Sequence, residues 1–248
     1  MKIAVAGATG TVGAHIVAAV RAQGDEAVGL SRRTGVDLIT GRGLAEALSG
    51  VAAVIDAANV TTLSAKKATT FFTAATGNLA AAARAAGVRH VVLLSIVGVD
   101  RNPHDYYAGK LAQEHTLAAA GVPATIVRAT QFHEFAGQIA ARAKLGPLQL
   151  APRARVQPIA AAEVGAQLSR IAVGEPQSTV ELAGPREEQL DDMVRRFARA
   201  RGARGWIPSI SIPGAQMKGM RAGLNLPGPG ALIGTQTFDE WCAALSVR

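Results

Sequence analysis

One cysteine, two tyrosines, two tryptophans and no long apolar run set the first limits on this chain of 248 residues. A lone Cys242 excludes an internal disulfide and any zinc or iron–sulfur site built from several cysteines. The longest uncharged stretches, such as 68–83 and 222–238, are broken by Thr and Asn or by Gly and Pro, so no membrane span is expected. Acids are the minority charge, with 18 Asp and Glu against 26 Lys and Arg, for a net charge of +8. That excess invites a nucleic-acid partner, but aromatic residues make up only 4% of the chain and do not interleave with the cations. The one cluster, Arg195, Arg196, Arg199, Arg201 and Arg204, reads as a solvated helix face behind Asp191-Asp192, ending in a cationic last turn. A basic protein also attracts anionic cofactors and substrates.

What the sequence does contain is alternation. With 49% apolar and 18% charged residues the chain is a folded one. Residues 2–6 read as a buried strand, 13–23 as a helix, 26–30 as a second strand, 44–48 as a short helix and 52–57 as a third strand. A helix over 71–86 stopped by Gly87, a central strand over 90–97, a helix over 108–120, a strand over 124–128 and a helix over 134–144 follow. This rhythm implies βαβ units and a parallel sheet covered on both faces, a Rossmann-type doubly wound α/β fold. Beyond Lys144 the rhythm loosens: Gly146-Pro147 and Pro152 mark loops, 161–172 and 190–200 read as helices, and 179–182 as a further strand. The Gly/Pro-rich tract 202–234 has no clear period and suits a lid or binding surface. We expect one domain over 1–248, with a nucleotide-binding core in 1–130 and substrate-side segments in 131–248 over the carboxyl edge of the sheet. Because the first residues run straight into a strand, no signal peptide is expected, and a cytoplasmic location is the default. The sequence leaves a homodimer open.

The sharpest local signal is Gly7-Ala8-Thr9-Gly10-Thr11-Val12-Gly13, directly after the first strand and opening the first helix. Gly7 makes the tight turn, Gly10 lets backbone approach a pyrophosphate at the helix N-terminus, and Gly13 lets helix and strand pack closely. At the end of the second strand an NAD site usually places an acid for the ribose 2′-hydroxyl. Here the chain reads Ser31-Arg32-Arg33, with Asp25 and Glu26 at the strand's other end. Two guanidinium groups there suit a 2′-phosphate, so NADP(H) is the expected cofactor.

Both tyrosines are adjacent, in Tyr106-Tyr107-Ala108-Gly109-Lys110. Tyr106 and Lys110 share a helix face four residues apart, and a nearby ammonium would lower the phenol's pKa from its ordinary value. Ser95 ends the most buried strand, where open α/β sheets bind ligands, and can hydrogen-bond a substrate carbonyl or hydroxyl. Thr130, Gln131 and Phe132 follow the fifth strand and should lie beside a nicotinamide. Phe132, but not Phe135, is read as pocket floor. Trp206 could line a pocket and Trp241 reads as core. No metal is expected: His133 and Glu134 are adjacent and diverge, and no third ligand stands near in sequence.

The glycine turn, Ser95–Asp100, Tyr106–Lys110 and the stretch Arg128–Phe135 resemble the short-chain dehydrogenase/reductase superfamily, in its atypical, NmrA-like NAD(P)H-binding branch. The likeness extends over the whole chain, through Gln157-Pro158-Ile159, Glu163-Val164 and residues 237–241. It implies a Rossmann core with NADP(H) across the sheet edge and a small C-terminal substrate-binding part. By that resemblance Tyr106 is the acid/base, Lys110 the ribose-binding helper, Ser95 the substrate orienter, and Ala57 and Asn59 belong to a cofactor-contacting turn. The branch holds reductases and nucleotide-sensing regulators. The retained Tyr106, Lys110 and Ser95 favour an NADP(H)-dependent oxidoreductase acting on a small apolar carbonyl or quinone-like molecule. The alternative is a non-catalytic NADP(H) sensor with a protein partner.

Overall fold

Runs such as Lys2–Ala6 and His90–Ile96 are too apolar to leave either face in water, so they must lie inside a sheet covered on both sides. The computed structural model, which describes residues 1–145 and 148–245, shows that sheet. Its strands are β1 (Lys2–Ala6), β2 (Glu26–Leu30), β3 (Ala53–Asp56), β4 (His90–Ile96), β5 (Ala124–Ala129), β6 (Val180–Ala183) and β7 (Leu232–Ile233). They lie in the order β7-β6-β5-β4-β3-β1-β2, every pair parallel. The chain steps outward from β1 to β2 and then returns to β3 on the other flank of β1. Strand order therefore reverses between β1 and β3, the crevice where doubly wound sheets bind ligands.

The connecting helices are α1 (Thr11–Ala22), α2 (Leu44–Ala47), α3 (Ala65–Ala85), α4 (Tyr106–Ala119), α5 (Phe135–Arg142), α6 (Ala161–Val173), α7 (Leu190–Ala200), α8 (Ala215–Arg221) and α9 (Phe238–Leu245). On one face α1 and α6 bury Ile16, Val20, Val164 and Leu168 against Ile3, Val5 and Val92. On the other, Leu44, Leu79 and Leu117 of α2, α3 and α4 pack on Ala4, Val54 and Leu93. A third cluster around Met193, Val194, Met220 and Phe238 joins α5, α7, α8 and α9 beyond the sheet. No helix among the described residues is long and apolar enough to cross a membrane.

The expected elements are present with instructive differences. α3 starts six residues earlier than its apolar period announces, because the Ser64 hydroxyl caps it by accepting from the Lys67 N–H. Its threonines are tolerated partly by back-bonding, as Thr73 Oγ1 donates to Thr69 O at 2.8 Å. The tract 202–234 holds α8 and β7, both too short to show a period. Pro152, expected in a loop, ends the two-residue strand Ala151–Pro152 beside Ser209–Ile210. The ladder there uses the N–H groups of Ala151 and Arg153, so the proline's missing donor costs nothing. Gly146-Pro147 lies outside the described residues.

The arginine cluster is partly internal rather than a solvated face. Arg196 pairs with Glu188, Asp192 and Asp239 and lies over the Phe238 ring, while Arg195 binds Asp191, Ser209 and Ile207 O. Arg199, Arg201 and Arg204 remain exposed.

Two buried histidines make stability depend on pH. The His90 ring bridges Thr125 Oγ1 and Gly174 O, and His133 sits against Phe238 and Trp241. Burial lowers the pKa of both. The unfolded chain then binds protons first as pH falls, so stability is level at neutral pH and declines below about 6.5. Urea unfolding at pH 7.5 and 5.5 should show this loss, at most ~1.4 kcal/mol per pH unit per histidine. His90→Asn should flatten the slope.

Candidate active site

Gly7 leaves β1 with φ +74°, a conformation that side chains disfavour, and a Cβ there would stand 2.4 Å from Ala57 O. The turns after β1 and β3 thus touch at the point of strand reversal. A Cβ on Gly13 would lie 2.0 Å from Gly7 O, so α1 springs directly off the turn. The Gly10 N–H donates to Gly7 O at 2.9 Å, and Gly10 as N-cap supplies no side chain to the first amides of α1. Uncapped amides at the positive end of a helix, with backbone on every other side, fit an anion of pyrophosphate size. Thr9 and Thr11 stand exposed at its rim, and Val12 is buried beneath.

At the end of β2, Ser31 and Thr34 form a reciprocal cap over the short turn Arg32–Thr34. Arg32 and Arg33 project into solvent, and neither has an acidic partner among the described residues. Two unpaired guanidinium groups beside the cradle fit a 2′-phosphate.

A cavity of about 300 Å³ opens beyond the cradle at the carboxyl ends of β3, β4 and β5. Its walls come from the segment Asn59–Leu63, from Thr130, Gln131 and Phe132 after β5, from α5, and from Gln216, Met217 and Met220 of α8. Phe135 lines it beside Phe132, against the expectation that only Phe132 would. Trp206 is 80% exposed and lines neither this cavity nor the one at α6. Trp241 packs on Phe197 and Phe238. The irregular tract supplies a fixed wall: Arg101 donates to Leu224 O and Leu226 O, and the Asn102 amide donates to Gln216 O and Asn225 Oδ1. Thr130 and Gln131 are held from below by Gln157 and Ile159, which pair with them through backbone and the Thr130 hydroxyl. α8 lies in the tract 202–234 that the sequence marks as a lid or binding surface, and Gln157 and Ile159 lie in a stretch the resemblance covers; the contacts each makes are not visible in the sequence.

Tyr106, Tyr107 and Ser95 all line the cavity, whereas Lys110 does not. The Tyr106 hydroxyl donates to Asn59 Oδ1 at 2.7 Å, joining α4 to the turn after β3. Burial raises the phenol's pKa well above its ordinary value, and neighbouring Tyr107 adds to the shift. This reverses the expected lowering by Lys110, whose ammonium is spent elsewhere. Lys110 donates to Leu94 O at 2.7 Å and to Gln113 Oε1 at 2.6 Å, and its Nζ lies 4.7 Å from the Phe72 ring centroid. Burial pulls its pKa down to about 8, against the opposing charges of Asp56 and Glu114. Ser95 Oγ donates to Glu114 Oε1 at 2.5 Å, and Glu114 is held by Arg128. Lys110 thus lies behind the cavity, and Ser95 lines it with its hydroxyl proton given to Glu114.

Residues the sequence reading passed over hold this face. Asp56 accepts from Ala58 N–H, Thr76 Oγ1 and Gln113 Nε2. Gly109 lets α4 meet α3, since a Cβ there would lie 2.5 Å from the Ala68 Cβ. Asp105, immediately before Tyr106, has φ +51°, a strained value for a residue with a side chain.

A family model described as NAD(P)H-binding matches residues 7–170. Among curated proteins, none matches the sequence. Solved structures with the same fold include MoeE5 in complex with UDP-glucose and NAD, at TM-score 0.74 and 18% identity, covering 100% of this chain and 98% of that one. An NADPH-dependent quinone oxidoreductase from Escherichia coli, complexed with NADPH, aligns at TM-score 0.72 and 20% identity, over 98% and 99% of the two chains. A nucleoside-diphosphate-sugar epimerase from Staphylococcus aureus aligns at 0.71 and 16%, over 98% and 99%.

The cradle predicts a steep response to one methyl group. Gly13→Ala places a carbon 2.0 Å from Gly7 O and must push α1 off the turn. Loss of nicotinamide dinucleotide binding by at least about a hundredfold is expected, with a lower Tm, when fluorescence titration and thermal melts are compared with wild type.

Proposed function

Because the chain belongs to the NAD(P)H-binding family, of the atypical short-chain dehydrogenase/reductase type, we propose that it is an NADP(H)-dependent reductase of small apolar carbonyl or quinone-like molecules. The observation that carries this reading is Tyr106, a phenol bonded to Asn59 on the wall of a mostly apolar cavity that begins just past the turn Ala57-Ala58 against which Gly7 packs.

Gly7–Gly13 would hold the pyrophosphate, Arg32 and Arg33 the 2′-phosphate, and Ala57, Asn59, Thr130 and Phe132 would flank the path from the cradle into the cavity. When bound, the reduced nicotinamide supplies a hydride. A carbonyl that accepts hydride also needs a proton at oxygen, and the Tyr106 O–H would deliver it by exchanging Asn59 Oδ1 for the substrate oxygen, with solvent restoring the phenol afterwards. Asn59 holds the hydroxyl in place. Lys110 and Ser95 anchor α4 and β4 behind the cavity; direct roles at a ribose or a substrate oxygen require each to exchange a protein partner for the ligand. That same inward orientation favours a second reading, a non-catalytic sensor of the nucleotide.

Two measurements test the proposal. NADPH should bind more tightly than NADH by roughly tenfold to a thousandfold, and replacing Arg32 and Arg33 with Ala should remove most of the difference. Equal affinities in wild type would overturn the cofactor assignment. Tyr106→Phe should lower turnover of a carbonyl or quinone substrate by about 10²–10⁴ while leaving NADPH affinity near wild type. Wild-type turnover by this variant refutes the acid role. Tight NADPH binding with no substrate turned over across a broad carbonyl and quinone panel favours the sensor.

A further inference from the structure

The cavity's polar groups are not evenly spread. Leu63, Ile96, Phe132, Phe135 and Met217 supply apolar wall, and Arg142, in the last turn of α5, is the one charged side chain among the described residues that line it. Arg142 is exposed and has no acidic partner among the described residues, and no Asp or Glu faces the cavity from any element. Arg128, at the end of β5, is by contrast held by Glu114 and Asp100, so Arg142 is the guanidinium at this cavity with no competing carboxylate.

A second group in the cavity has hydrogen-bonding capacity to spare. Gln131 is only 8% exposed, lines the cavity, and its Oε1 has no hydrogen-bond partner. Its other amide atom reaches Tyr107 Oη only at 3.4 Å. A buried amide oxygen gains from any donor that reaches it, and a ligand O–H or N–H in the cavity can supply one.

We propose that this cavity selects anionic substrates: flat apolar acceptors that carry a carboxylate or a comparable anionic group, with Arg142 holding the charge and Gln131 Oε1 accepting from a hydroxyl or N–H elsewhere on the molecule. The inference rests on the reductase reading of the same cavity and refines its substrate class. An apolar ring gains by leaving water, while its carboxylate stays at the rim against a guanidinium that has no competing acid. The net charge of +8 attracts anions in general, so the selective part must be separated from the overall field.

The test is equilibrium binding of two redox-inert probes with one skeleton, 2-naphthoate and 2-naphthamide, measured by calorimetry. Neither accepts hydride, so the outcome does not depend on whether the protein is a reductase. Wild type should prefer the carboxylate by roughly five- to tenfold, and the preference should shrink as salt is raised. Arg142→Ala should bring the ratio close to one, and Arg142→Lys should keep most of it. Arg21→Ala, which removes a charge at the far end of α1, should leave the ratio as in wild type. Equal binding of the two probes by wild type, or a ratio unchanged in Arg142→Ala, overturns the proposal. A ratio lost equally in Arg21→Ala assigns the preference to the general field and overturns it too.

Discussion

The carboxylate of Asp56 ties together the three elements on which the site depends. It ends β3 at the point of strand reversal and is almost wholly buried. One oxygen fixes the turn that carries Asn59, and the other gathers Thr76 of α3 and Gln113 of α4. Gln113 passes the connection to Lys110, so a buried anion and a buried cation face each other through a shared amide. An ion left alone there would be strongly destabilising, whereas the linked set is satisfied. The Tyr106–Asn59 bond closes the circuit, because each partner is delivered by an element that Asp56 holds.

Burial acts on the two members of the Tyr-Lys motif with one logic. It disfavours the charged form of each, raising the phenol and lowering the ammonium. The spacing of four residues does put both side chains on one side of α4, as the sequence states. It cannot state that Phe72 contacts both of them or that the Leu94 carbonyl takes the ammonium, for those groups come from α3 and β4. The motif was therefore legible as geometry along one helix and illegible as electrostatics between three elements.

The fold was readable for the same reason. Strands β1 to β5 and helices α1, α6 and α7 announce themselves through runs and periods that are properties of single segments. The glycine turn is likewise local, and its two close approaches follow from residue type and spacing. Asp56 shows the limit: one acid in an apolar strand gives no sign of its partners 20 and 57 residues away. α8 and β7 are shorter than any period, and Gln131 becomes notable only when its amide is seen to lack a partner. Arg195 and Arg196 looked like surface charge because the groups that enclose them, Ser209 and Ile207 O for the first and Glu188 and Asp239 for the second, lie outside α7.

Gly109 carries a consequence for how such a site can diverge. Within Tyr106–Lys110 it is the residue with no chemistry to offer, yet a single added carbon would collide with Ala68 and lever α4 away from α3. The phenols at 106 and 107 ride on that helix. Swapping a polar residue in the cavity alters what is recognised and leaves the scaffold standing, whereas enlarging residue 109 displaces every group that α4 carries. A substitution in the cavity wall therefore changes the ligand surface alone, whereas one at residue 109 moves the whole helix that carries it.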